Sequence, residues 1–288
     1  MEILETYIVT ELSEEIRLQE YAAKIFKTIT SRSAVKKAIK KQRILIDGTI
    51  GETGSWIKEG QKIELIAIEK KTPSFHLELS IIFEDEHIAI INKPAGYPTS
   101  GNYFKTIENA LSFNLKPSSL FDKLPTPQPT HRLDNPTSGI LICAKTNKAL
   151  VALNKQFQDK KIQKTYSALV ENRVEGTHIL TDDIDGKSAK TTVISSKNFS
   201  YKSSNLTLVK ALPLTGRTHQ IRKHLANQNW PILGDNLYGN TKSLIPSKGL
   251  YLTATAITFT HPETQEILSF EVALPKKFRR IIENQLES

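Results

Sequence analysis

A single cysteine in 288 residues excludes an internal disulfide and leaves no second thiol to share a zinc ion. Cys143 lies inside the apolar run at 140–144, where a buried filler is expected rather than a nucleophile. No apolar run approaches the ~20 residues a membrane-spanning helix needs, and the chain opens with Met1, Glu2 and Glu5, acidic where an export signal is basic. A cytoplasmic protein without membrane association is the expectation. Also missing are histidines or cysteines at metal-ligand spacing, a glycine-rich phosphate loop, a dinucleotide fingerprint and any internal repeat. Nothing in the sequence calls for a metal or an organic cofactor.

What is present is an ordinary core and an excess of basic charge. The 39% apolar content supports a folded chain, and 288 residues suffice for two domains. The net charge of +9 and a pI near 9.4 suit a polyanionic partner, although many proteins share a basic pI. Distribution says more. Residues 1–69 balance 11 basic against 11 acidic groups, yet residues 24–43 hold eight basic groups and no acidic one. The remainder, with 28 basic and 19 acidic residues, carries the whole net charge.

Three segments follow from the patterning: a small unit at 1–69 whose core begins near Arg17, a linker at 70–80, and a larger domain at 81–288. In the small unit Ser33 is a plausible N-cap for a helix that turns Val35, Ala38 and Ile39 inward and leaves Lys36, Lys37, Lys40 and Lys41 outside. Most lysine runs are solvated faces and nothing more. Residues 44–47 read as a strand, Asp47-Gly48 as a hairpin turn, and KEGQK before IELIAI as a second turn and strand. The larger domain offers strands at 87–92, 139–144, 165–170, 206–211, 251–259 and 267–272. It offers fewer helices, at 147–158, with Leu150, Leu153 and Phe157 at helical spacing, and from near Thr218. The expected class is α+β, with a large, mainly antiparallel sheet.

The densest chemistry is HRLDNPTSG at 131–139, which packs an imidazole, a guanidinium and a carboxylate into a turn-prone stretch before an apolar run. Asp134 is thereby expected at a strand mouth. Taken alone, such an Asp is usually a turn former or a surface ion pair. Further along stand KTYSALV at 164–170 and TGRTHQIRKHLA at 215–226, with NKPAG at 92–96 and PILGDNLYG at 231–239. Together these segments resemble the RluA family of RNA pseudouridine synthases, over about the last three-quarters of the chain. In the small unit RLQEYAAKIF, TSRSAVKKAIKKQRILIDG and IKEGQKIEL resemble the αL RNA-binding domain found in a ribosomal protein, some tRNA synthetases and many pseudouridine synthases. Gln42-Arg43 departs from that pattern, which usually has a glycine there.

The resemblance implies an enzyme that detaches uracil from its ribose, turns it and rejoins it through carbon 5, without a cofactor. By it, Asp134 is the catalytic aspartate, acting either as a nucleophile at carbon 1′ or as a base at carbon 2′. Tyr166 stacks on the flipped uracil and helps remove the carbon 5 proton; without the match, core packing is the better reading. Arg222 pairs with Asp134, in a bidentate geometry that would keep it ionised. Arg132 is the candidate to fill the gap left by the flipped base. His131, Thr137, Ser138 and Gly139 shape the turn, with phosphate contact open to His131. Arg217 and His219, at a helix start, support the Asp134 loop or bind phosphate. Lys36, Lys37, Lys40 and Lys41 would contact RNA. The expected partner is structured RNA, ribosomal favoured over transfer, with the chain a monomer. Asn135-Pro136, the GYPTSG stretch after NKPAG, and Thr253 in LTA at 252–254 depart from the family at substrate-facing positions. Two rivals remain: a non-catalytic RNA-binding or assembly factor on the same scaffold, and an Asp-His hydrolase using His131 and Asp134.

Overall fold

The computed structural model describes residues 3–67, 75–202, 204–240, 245 and 248–283, so residues 70–74 of the expected linker lie outside the described residues. The chain divides into two compact units, residues 1–72 and 73–288. The first comprises β1 (Ile3–Ile8), α1 (Leu18–Ile25), α2 (Arg32–Lys40), β2 (Ile44–Ile46), β3 (Thr49–Ile50) and β4 (Lys62–Ile66). Its four strands form a sheet in the order β1-β4-β2-β3. The unit is thus larger than the core expected from Arg17 onward, because β1 pairs antiparallel with β4.

Helix α2 turns Val35, Ala38 and Ile39 into a core with Leu18, Phe26 and Ile63, while Lys36, Lys37, Lys40 and Lys41 are exposed. Its cap is Ser31, not Ser33. Ser31 is extended, and its Oγ accepts a hydrogen bond from the Ala34 amide at 3.1 Å, which leaves Ser33 inside the first turn. Gln42 takes the left-handed conformation with φ 56°, so the turn that usually holds glycine keeps its shape with a less suited residue. Asp47 and Gly48 both have positive φ, 49° and 80°, as the two-residue turn joining β2 to β3 requires.

The second unit runs β5 (Ser80–Glu84), β6 (Ile88–Lys93), α3 (Ile107–Asn114), β7 (Lys123–Pro129), β8 (Ser138–Thr146), α4 (Asn147–Gln158), β9 (Gln163–Glu171), β10 (Thr177–Leu180), β11 (Thr191–Tyr201), β12 (Ser204–Pro213), α5 (Gln220–Asn227), β13 (Leu252–Thr260), β14 (Ile267–Glu271) and α6 (Lys276–Glu283). All six expected strands and both expected helices are present. A ten-stranded sheet follows the path β10-β11-β12-β9-β13-β8-β6-β5, with β14 on β13 and β7 on β8. Only β13 with β8 is parallel. β8 reads as an unbroken apolar run because both of its faces are covered. Ile140 and Ile142 point toward Ala149 and Leu153 of α4, whereas Leu141 and Cys143 point toward Ile107, Ala110 and Leu111 of α3. Cys143 is therefore the buried filler expected, its thiol pushed up by burial.

The parallel β8–β13 contact fixes where the HRLD turn ends. Gly139 opposite Ala254 has φ 115°, and a Cβ there would lie 2.1 Å from the Ala254 carbonyl oxygen, so only glycine allows the strands to meet. No helix among the described residues is long and apolar enough to cross a membrane.

Candidate active site

Three chain segments converge on a cleft of about 570 Å³: the HRLD turn before β8, the start of β9, and the loop leading into α5. Asp134, Tyr166, Arg222, Arg132, His131, Arg217 and His219 all line it. The cleft belongs wholly to the second unit, while the α2 lysines belong to the first.

The Asp134 turn is held from beneath. The Thr137 amide donates to the Asp134 carbonyl at 3.0 Å, closing a turn across Asn135-Pro136. Lys93, fully buried at the end of β6, donates through Nζ to the carbonyls of Thr137 at 2.8 Å, Pro94 at 3.0 Å, Asn135 at 3.3 Å and Asp134 at 3.4 Å. Burial lowers this ammonium to about 8, opposed by the Asp134 charge. On the other side, buried Thr99 both accepts from the Leu133 amide at 3.1 Å and donates to the Leu133 carbonyl at 2.9 Å. Asp134 is thus fixed through its own backbone, and its carboxylate accepts no hydrogen bond among the described residues.

The charges around that carboxylate correct the expected pairing. Arg222 lies 3.7 Å from Asp134 through Nη1, but its bidentate partner is Asp235, reached through Nε and Nη2 at 2.7 Å each. Asp235 is also saturated by the amides of Leu237 at 2.9 Å and Tyr238 at 3.1 Å. The fork goes to Asp235 because that carboxylate is almost wholly buried, 1% exposed against 19% for Asp134, and a buried charge needs full pairing. With its fork so fixed and its plane over the Tyr238 ring at 5.1 Å, Arg222 presents its remaining nitrogen toward Asp134. Sequence reasoning assigns no role to Asp235 or Lys93, although they stand in PILGDNLYG and NKPAG.

Tyr166, on β9, packs against two of the hydrophobic clusters while lining the cleft, and its hydroxyl has no hydrogen-bond partner among the described residues. Burial, and secondarily the Asp134 charge, push this phenol up, so it is protonated at neutral pH. His219 has Nε2 at 3.9 Å from Asp134 and Nδ1 at 3.0 Å from the Tyr238 hydroxyl, and it adopts φ 56° just before α5. Arg217 is exposed, with Nε donating to the Ser188 carbonyl. Its loop is organised by buried Gln220, whose Oε1 accepts from the Arg217 amide at 3.0 Å and the Thr215 hydroxyl at 2.7 Å. Arg132 is exposed at the cleft and makes no hydrogen bond or ion pair among the described residues.

His131 takes the turn-shaping place of the two roles open to it. Its Nε2 accepts the Ile142 amide at 3.1 Å, its ring lies 4.8 Å from Phe157, and burial lowers it to about 3. A neutral imidazole already bonded to β8 supports the turn rather than attracting phosphate. It forms no dyad with Asp134, which removes the basis for the hydrolase. Among the departures, Thr253 is buried and joined to Ser138 by hydroxyl contact at 3.1 Å, so it ties β13 to β8.

The RNA pseudouridylate synthase family matches residues 87–227. An uncharacterized RNA pseudouridine synthase of Aquifex aeolicus is 32% identical over 297 residues, covering 93% of this chain and 93% of that protein. The ribosomal large subunit pseudouridine synthase D of Nitrosomonas europaea is 30% identical, over 88% of this chain and 80% of its own length. Among solved structures, human RNA pseudouridylate synthase domain containing 1 shares the fold, with a TM-score of 0.57 and 19% identity over 75% of this chain and 98% of that one. Similarity of this extent, with the family match spanning all three segments that build the cleft, means that the chain belongs to the RluA family of RNA pseudouridine synthases.

Proposed function

We propose that this enzyme isomerises uridines of structured RNA, ribosomal RNA in particular, with Asp134 as the reacting carboxylate. The observation that carries the reading is the contrast at Arg222: one carboxylate is buried in its fork, the other stands partly exposed in the cleft without a hydrogen bond of its own. A carboxylate free of hydrogen bonds keeps its lone pairs for the ribose, and the Arg222 guanidinium lies 3.7 Å from it.

In this reading Arg132 enters the stack as the target uridine leaves it, offsetting a cost of about a few kcal/mol. Asp134 attacks carbon 1′ or takes the carbon 2′ proton, and uracil is retained against Tyr166. Part of what holds the Tyr166 proton is the Asp134 charge. Once that charge is consumed by a bond or a proton, less holds the proton on the phenol; after that proton passes to solvent, the phenolate can take the proton that carbon 5 loses. The rearrangement imports no electrons or atoms, so it needs no cofactor. The αL-like unit, with Lys36, Lys37, Lys40 and Lys41 exposed, would hold RNA by its phosphates. Ribosomal RNA is favoured because several relatives are named as ribosomal large subunit synthases.

Asp134→Asn tests the reading. Tritium release from carbon-5-labelled uridine RNA should fall by at least about 10³-fold, since the amide neither attacks nor accepts a proton. Melting temperature and RNA affinity should stay close to wild type. Turnover persisting after deamidation is excluded would remove Asp134 from the reaction.

A further inference from the structure

One cation in the cleft has no part in that chemistry. Lys164, at the start of β9, lines the cleft with Thr130, His131, Phe157 and Lys160. It is half-buried, and among the described residues its side chain makes no hydrogen bond and no ion pair. Burial lowers its ammonium, and its charge bears on His131, which is held neutral beside it. A partly desolvated ammonium with no anion is costly unless something outside the chain completes it.

Its place on the strand says what that is. Lys164 and Tyr166 are two residues apart on β9, so their side chains stand on one face, separated by about 7 Å, the scale of a single nucleotide. The base reader and the unpaired cation are thus arranged as a base and a phosphate would be. A second cation supports the same end of the cleft. Lys160, just past α4, has φ 56°, a conformation that suits glycine, yet the position holds a long cation exposed at the cleft wall. Among the described residues, Asp134 alone brings a carboxylate to the cleft lining, so an anion meets no second negative side chain from them there.

We propose that Lys164, with Lys160 beside it, seats a backbone phosphate of the RNA strand adjoining the flipped uridine. This rests on the reading that uracil lies against Tyr166. Lys164 acts as a positioning residue: it holds the strand at the depth where Asp134 reaches the ribose.

The test uses the full-length enzyme and two readouts. With oligouridylate as the probe, Lys164→Met should flatten the log–log dependence of binding on salt by about 0.7, the share of one phosphate on a single strand, and Lys164→Arg should restore it. With carbon-5-tritiated ribosomal RNA transcript, the same change should raise KM about tenfold, a loss of about 1.4 kcal/mol that falls on KM more than on kcat, again rescued by Arg. Lys160→Gln should act in the same direction and more weakly. An unchanged salt slope in Lys164→Met would overturn the proposal, as would a lowered melting temperature that Arg fails to rescue, the mark of a packing role. Binding to oligouridylate needs no chemistry, so a failure of Asp134 as the reacting group would show in turnover of Asp134→Asn and leave this result standing.

Discussion

In the first unit, Lys36, Lys37, Lys40 and Lys41 stand exposed on the outer side of α2, whose inner side is packed apolar core. In the second, Arg222 and Lys93 are buried, the one forked on Asp235 and the other capped by four carbonyls. Charges of the first kind act through counterion release and tolerate misplacement by an ångström; charges of the second kind are fixed by partners and act through geometry. The difference divides expected effects: damage in the cleft should appear in turnover or stability, damage on α2 in the salt dependence of binding.

The sharpest test of the cleft half is Tyr166→Phe, which keeps the ring and removes the hydroxyl. Loss of a proton-transfer group typically costs about 10²–10⁴ in rate, and that drop is expected in single-turnover measurements with RNA affinity unchanged. Removing a buried phenol hydroxyl that has no partner should not lower the melting temperature. Normal turnover with normal binding would return Tyr166 to the core clusters it touches.

Asp235→Asn should come next. The substitution strips the fork of its charge and leaves buried Arg222 with only the more distant Asp134 carboxylate, 3.7 Å away, and breaking a buried pair typically costs about 3–5 kcal/mol of stability. It also frees the guanidinium to close the 3.7 Å gap to Asp134, which would tie up the lone pairs that the proposed reaction needs. Chemical denaturation should show the stability loss, and the folded fraction should turn over more slowly. A variant as stable as wild type would mean that Asp134 takes over the fork without cost, and the contrast between the two carboxylates would fail.

These two residues also show what can be read from the chain. Asp134, Tyr166 and Arg222 are legible because each stands in a motif whose residues are close in sequence, and the strands and helices that carry them follow from apolar runs and helical spacing. Asp235 is not, although PILGDNLYG stands out as a segment. The choice between two carboxylates for one guanidinium depends on which is buried, and burial is decided by chain segments 101 residues apart, at 134 and 235. Lys93 escapes for the same reason: a lysine in NKPAG looks like any surface cation until β6 places it beneath the turn. The Ser31 cap is hidden more simply, since Ser31 and Ser33 offer the same chemistry and only backbone conformation separates them. Edge strands such as β5, β7 and β10 are masked by mixed polarity and, in β7, by Pro125 and Pro127, residues that sheet edges tolerate.

The smallest effect on chemistry is expected on α2. Replacing Lys36, Lys37, Lys40 and Lys41 together by Gln keeps helix propensity and the buried Val35, Ala38 and Ile39 face, so the melting temperature should hold within about 1 °C. Every phosphate that goes unneutralised should flatten the slope of log affinity against log salt by about 0.7–0.9, giving at most about 3.6 for all four. At low salt the variant should bind structured RNA more weakly, and at high salt the two proteins should converge. At saturating RNA the loss should be far smaller than that of Tyr166→Phe, because the proposed role of these lysines is to hold the substrate and not to react with it. An unchanged slope would make the α2 lysines a solvated face, and RNA capture would then rest on the second unit, which carries the whole of the net charge.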